Sequence, residues 1–255
     1  MMKFHPVLNQ DYQKIRWMLN AIAYKIGGKL SRNPTFDERG LTDELLDLLL
    51  TSFNHIKLSK YYINIHVNKP SEKKTGADIL VRTIVKRQEI SFDRYVLLQA
   101  KKYLLRSEQF NETNVGNTHL TGQIAKLHTY NPEFSYLLLY STHSEPSANF
   151  VIGQSNLHSS LFENFFLDFD DLIQFGHLSP SVNIQSSYPV TLLRTKTWEK
   201  FTDTKYHNLL NYSEVFPNFI LDDLIAGKIG KEWDSTIEKA QGVFSIVLTI
   251  TVGQG

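Results

Sequence analysis

The apolar positions of the chain fall into helical and strand periods that can be followed from one end to the other. Tyr12, Ile15, Leu19, Ile22 and Ile26 recur three and four residues apart, predicting a helix over Leu8–Ile26 that Gly27–Gly28 ends. A second helix is expected after Asn33–Pro34, running to about Phe53 on Leu41, Leu45, Leu48, Leu49 and Phe53. Tyr61, Ile63, Ile65 and Val67 then alternate with Tyr62, Asn64, His66 and Asn68, the period of a half-buried strand. After a polar turn at Lys69–Thr75 come two strands rich in Ile, Leu and Val, Ala77–Val85 and Arg94–Lys101, joined by a polar hairpin loop at Lys86–Asp93. Tyr103–Asn117 reads as a loop, Thr121–Tyr130 as a helix with Ile124, Leu127 and Tyr130 on one side, and Phe134–Tyr140 as a central strand.

The order is therefore α-β-β-β-α-β, an α/β (α+β) core with a mixed sheet flanked by helices. Beyond Ser141 the pattern predicts a helix at Leu161–Phe175, a short strand at Val190–Leu193, a helix at Phe219–Ile229 and a strand at Val243–Val252. No clean linker interrupts the chain. It is treated as a single domain over 1–255: an N-terminal helix (1–33), a core (34–141) and a C-terminal elaboration (142–255) that completes the sheet or caps it.

Composition excludes several classes. There is no cysteine, so neither disulfides nor thiolate metal sites are expected, in keeping with a cytoplasmic location. No apolar run approaches the roughly 20 residues of a membrane helix, and no membrane partner is expected. The histidines form no His-x-x-x-His pair, Gly153-Gln-Ser155 lacks the second glycine of a nucleophile elbow, and no phosphate loop occurs. The net charge is +1, but it is unevenly spread. Basic residues outnumber acids between Lys57 and Arg106, whereas Leu127 to Leu193 contains no Lys or Arg. Lys73, Lys74 and Lys102 are the candidate phosphate contacts in that basic stretch.

The chemistry concentrates at Gly76-Ala77-Asp78 and Gln99-Ala100-Lys101, at the ends of the two hairpin strands. Residues i and i+2 of a strand share a face, so Gln99 and Lys101 project together, with Lys102 on the other side. Antiparallel pairing brings Asp78 beside them. A carboxylate, an amide oxygen and an ammonium at one sheet end suit phosphodiester hydrolysis: Asp78 and Gln99 as oxygen ligands of a hard cation, Lys101 to orient water and offset developing charge. On this phase, Lys102→Ala is expected to matter much less than Lys101→Ala.

Gly-Ala-Asp followed by Gln-Ala-Lys resembles the PD-(D/E)xK nuclease superfamily, in particular the Gln-x-Lys branch of Mrr-type restriction enzymes and prokaryotic antiviral effector nucleases. The resemblance covers roughly Pro34 to Ser141. No Pro precedes Asp78, and Gln99 stands where the family's acid usually lies. It implies a restriction-endonuclease-like core and a Mg²⁺- or Mn²⁺-dependent endonuclease acting on DNA, duplex rather than single-stranded, in restriction or antiviral defence. A homodimer or a defence-system protein is the implied partner. It also implies a Glu on the helix before the first strand, facing the metal. Helical phase puts Glu38 near the centre of the apolar stripe and Glu44 toward solvent. An early break at Gly40 would instead put Glu44 in the first turn, so both remain candidates. Gln123, on the helix after the motif, matches a Gln that faces the site in antiviral relatives. The alternatives are a nuclease-fold binding module that does not cut, and an RNA-directed nuclease.

Overall fold

The computed structural model describes residues 8–33, 35–59, 61–69, 77–87, 90–104, 109–110, 117–141, 190–198, 214–215, 224, 227 and 229–254. Helix α1 (Leu8–Arg32) extends past the glycine pair expected to end it. Ile26 and Leu30 are fully buried on either side of Gly27–Gly28. One more turn of core contact outweighs the roughly 1 kcal/mol that each helical glycine costs relative to alanine. Asp11, near the start of α1 and itself buried, accepts the Ser59 N–H at both carboxylate oxygens and so ties α1 to the segment after the second helix.

Helix α2 (Glu38–His55) starts later than expected, with Asp37 as its N-cap accepting the Gly40 N–H at 2.6 Å. Gly40 does not break the helix. A Cβ there would stand 2.8 Å from the Phe36 ring, so glycine lets that ring fold back against the first turn. Leu41, Leu45, Leu46, Leu49 and Phe53 form the buried stripe. Leu48, expected within it, is only partly buried.

The sheet is mixed. Among the described residues its main path runs β1-β9-β2-β3-β5-β6-β7, with β4 and β8 pairing β3. These strands are β1 (Tyr61–Asn68), β2 (Ala77–Arg87), β3 (Ile90–Leu104), β4 (Gln109–Phe110), β5 (Ser135–Ser141), β6 (Val190–Arg194), β7 (Glu214–Val215), β8 (Lys231–Glu232) and β9 (Phe244–Gln254). Between β4 and β5 runs α3 (Asn117–Tyr130), and two short helices follow, α4 (Thr195–Trp198) and α5 (Ser235–Ala240). The β2–β3 hairpin is tighter than expected: pairing continues to Arg87↔Ile90, and Arg82 bridges to Asp93 across the strands. The last strand does not extend an edge. β9 is inserted between β1 and β2, antiparallel to the first and parallel to the second. The helix expected at Leu161–Phe175 and most of that at Phe219–Ile229 lie outside the described residues.

Two apolar clusters sandwich the sheet. Ile79, Val81, Val96, Leu98 and Ala100 meet α1 and α2 on one face. Leu80, Tyr95, Leu97 and Val247 meet α3 and α5 on the other, through Leu127, Ile237 and Ala240. On that second face the Arg82 guanidinium lies 3.9 Å over the Trp233 ring, whose edge meets Tyr95. Burial pushes the Tyr95 hydroxyl up to about 12. Helix α5 is led in by Gly230, at φ 115°, where a Cβ would meet the Tyr95 carbonyl oxygen at 3.0 Å. Gly230→Ala is expected to lower stability by about 1–3 kcal/mol. Urea unfolding checks this; a midpoint equal to wild type would show that the β8 turn relaxes freely.

Candidate functional site

β3 outruns its neighbour. The last β2–β3 pair on this side is Ile79↔Leu98, and β4 takes up that edge again at Tyr103 and Leu104, so between Gln99 and Lys102 β3 presents an open edge toward β2. Even-numbered N–H groups of β3 point to that edge, since the odd-numbered Leu97 N–H goes to the β5 side, bonding the Phe134 carbonyl at 3.0 Å. Two carboxylates occupy the gap. Asp78 accepts the Ala100 N–H at 2.9 Å, and Glu38 accepts the Lys102 N–H at 3.1 Å. Asp78 also accepts from the Gln99 side-chain amide, and Lys101 Nζ lies 3.3 Å from the other Glu38 oxygen. Glu38, Asp78, Gln99 and Lys101, far apart in sequence, thus meet at one sheet end. Asp78, Gln99 and Lys101 project on the α3 side, and Glu38 reaches them from the start of α2.

Burial sharpens the picture. Gln99 is 1% and Lys101 3% exposed, whereas Glu38 retains a quarter of its side-chain surface. The Gln99 Oε1 oxygen is buried with no hydrogen-bond partner. A buried acceptor left unpaired costs about 1–3 kcal/mol, and its lone pairs are available to a further donor or ion. Gln123 Oε1 is a second such atom. Gln123 follows Leu120 and precedes Ile124 and Leu127 on the inner side of α3. Leu127 shares a cluster with Leu97. α3 runs back along β3, so Gln123, N-terminal to Leu127, lies toward the C-terminal end of β3.

Several contacts fix Glu38. Thr42 bonds the Glu38 carbonyl and, at 3.0 Å, the hydroxyl of the fully buried Tyr140, whose pKa burial raises well above the tyrosine range. Lys102, expected as an exposed phosphate contact, is 4% exposed and donates its ammonium to the Phe36 carbonyl at 2.9 Å. Burial depresses its pKa, and the nearby Glu38 charge offsets part of that effect. Even-numbered β3 side chains face the core under α2, so this lysine ties down the N-terminal end of α2 instead of reaching outward. Lys102→Ala is accordingly expected to cost about 1–3 kcal/mol by orphaning that carbonyl. A thermal midpoint equal to wild type would show that the tie contributes nothing. Lys73 and Lys74 lie outside the described residues. Glu44, the other candidate acid, is turned away and pairs with Lys29 at 2.7 Å.

Among the described residues no three His, Cys, Asp or Glu side chains are grouped to hold an ion. The residues that could hold a hard cation are the two carboxylates and the Gln99 amide oxygen, all oxygen donors of the kind such a cation prefers. No family model, curated protein or solved structure matches the chain. Among the described residues no helix is long and apolar enough to cross a membrane. What sequence reasoning missed was the anchoring set, Thr42, Tyr140 and Lys102. Only a lysine in phase with Leu98 and Ala100 could have signalled it.

Proposed function

We propose that the chain is a metal-dependent endonuclease that hydrolyses phosphodiester bonds in DNA, built on a restriction-endonuclease-like core and acting in restriction or antiviral defence. The observation that carries this is the meeting of Glu38, Asp78, Gln99 and Lys101 at the open end of β3, around a buried amide oxygen without a partner. Asp78, Gln99 and Glu38 would hold Mg²⁺ or Mn²⁺, which when bound supplies Lewis acidity toward a phosphoryl oxygen. Lys101 orients the attacking water and offsets negative charge as it builds on the phosphate. Glu38 holds the Lys101 ammonium in place, and Gln123 lines the α3 side. Lys102, held inside, keeps the start of α2 in place. Cutting of plasmid DNA with Mg²⁺ and none with EDTA is the expected result. Cutting of RNA alone under the same conditions would move the substrate to RNA, and no cutting of either would reject the enzyme.

A second reading, a nuclease-fold module that binds without cutting, draws on one observation: both carboxylates already accept backbone N–H groups of β3. In that case DNA is retarded on a gel with or without Mg²⁺ and stays intact.

Gln99 separates the two. Its amide N–H₂ donates to Asp78, so Gln99→Glu sets two carboxylates against each other and raises the pKa of one. Without metal, the variant should lose about 1–3 kcal/mol. Added Mg²⁺ should raise its thermal midpoint by more than it raises that of wild type. Equal responses to Mg²⁺ would take Gln99 out of the metal site.

A further inference from the structure

The two ends of the sheet are unlike. At one end β7 has two residues, and so short a strand offers little edge to pair with. At the other, β1 has eight residues and, among the described residues, pairs with β9 alone. Its register with β9 is unbroken from Tyr61 to Asn68, so no bulge twists it away. The strand, Tyr-Tyr-Ile-Asn-Ile-His-Val-Asn, contains no proline and no Lys, Arg, Asp or Glu. Within Tyr61–Asn68 the sequence and register thus show no edge-blunting charge, proline or bulge.

Its side chains are sorted by face. Ile63 and Ile65 are buried on the side of α2, while Tyr62, Asn64, His66 and Asn68 are exposed, Tyr62 at 46%. Residues opposite one another in an antiparallel pair share a face. When the same strand from two copies pairs about a twofold axis, odd positions must therefore meet odd and even meet even. An axis at Ile65 sets Ile65 against itself, Ile63 against Val67, Asn64 against His66 and Tyr62 against Asn68. The apolar pairs continue the core beneath α2. Asn64 and His66 offer an amide and an imidazole to each other. No like charges face, and the contact is closed and self-complementary.

We propose that β1 is a self-association edge: two copies join β1 to β1 in antiparallel fashion, making one continuous sheet across a twofold axis. Through the β1–β9, β9–β2 and β2–β3 registers, Asn64 and His66 share a face with Gln99 and Lys101. Both copies of the candidate site then lie on the same side of the joined sheet. The proposal stands on the edge itself and does not depend on the activity at that site.

The test is sedimentation velocity of the full chain over two decades of protein concentration reaching the high micromolar range, as suits a contact smaller than a standard interface. Wild type should shift from monomer to dimer. N64E/H66E puts four carboxylates across the axis and should weaken dimerisation by about tenfold or more. N64E/H66K sets each Glu against a Lys of the other copy and should dimerise at least as tightly as wild type. Both substituted side chains are exposed, so the circular dichroism spectrum and thermal midpoint should stay near wild type. A wild-type protein that remains monomeric throughout overturns the proposal. So does N64E/H66E dimerising like wild type, or N64E/H66K associating no better than N64E/H66E.

Discussion

Lys101→Met is expected to reduce plasmid cleavage by about 10²–10³-fold, the usual effect of removing one group that stabilises transition-state charge. Lys101 is buried, with its ammonium 3.3 Å from Glu38, so the group is held in one place by the fold. Methionine keeps most of the stem's volume, which separates loss of charge from loss of packing. Asp78→Asn should fall as far, because the proposed cation loses a carboxylate ligand while the Ala100 N–H keeps an oxygen to bond. Lys196→Ala supplies the control. That lysine pairs with Glu133 on the surface, and such pairs contribute about 0–1 kcal/mol. Initial rates at saturating Mg²⁺, with gel retardation of the same DNA, give the comparison. Lys101→Met cutting within about threefold of wild type would remove Lys101 from the chemistry.

Local pattern made much of this arrangement legible. Period-two alternation located β1, and the Ile-, Leu- and Val-rich runs located the β2–β3 hairpin, because side-chain period and turn composition are local properties. Strand phase put Gln99 and Lys101 on one face, as found. Long-range pairing was not legible. Val243–Val252 announces a strand, yet nothing in its alternation says that it separates β1 from β2. That position follows from which apolar surfaces remain to be covered once the hairpin and α2 are in place. Gly27–Gly28 misled because glycine's cost is intrinsic and local, whereas the burial of Ile26 and Leu30 that overrides it is tertiary. Lys102 misled because lysine is nearly always at the surface. Here its phase with Leu98 and Ala100 takes it under α2, where a helix-start carbonyl receives it.

Glu38 shows a candidate singled out on a faulty premise. Helical phase placed it at the centre of a buried stripe. It is instead the first residue of α2, partly exposed, with its carboxylate turned to Lys101 Nζ and the Lys102 N–H. An acid in a first helical turn has an ordinary explanation, since it complements the helix dipole for about 0.3–1 kcal/mol. Substitutions can separate that contribution from a role in catalysis. Glu38→Gln removes the charge beside Lys101 and is expected to slow cleavage by about 10–100-fold and to raise the Mg²⁺ concentration needed. Glu44→Gln breaks only the partly exposed pair with Lys29 and should leave the rate unchanged. Glu38→Asp is the sharper variant. It keeps the negative charge in the first turn, so stability should stay near wild type, but the shorter side chain cannot reach Lys101 and the open β3 edge together. Cleavage should then fall although the fold is intact. If Glu38→Asp cuts like wild type, Glu38 serves only to start the helix. If Glu44→Gln alone is inactive, the acid of the site lies nearly two turns further along α2.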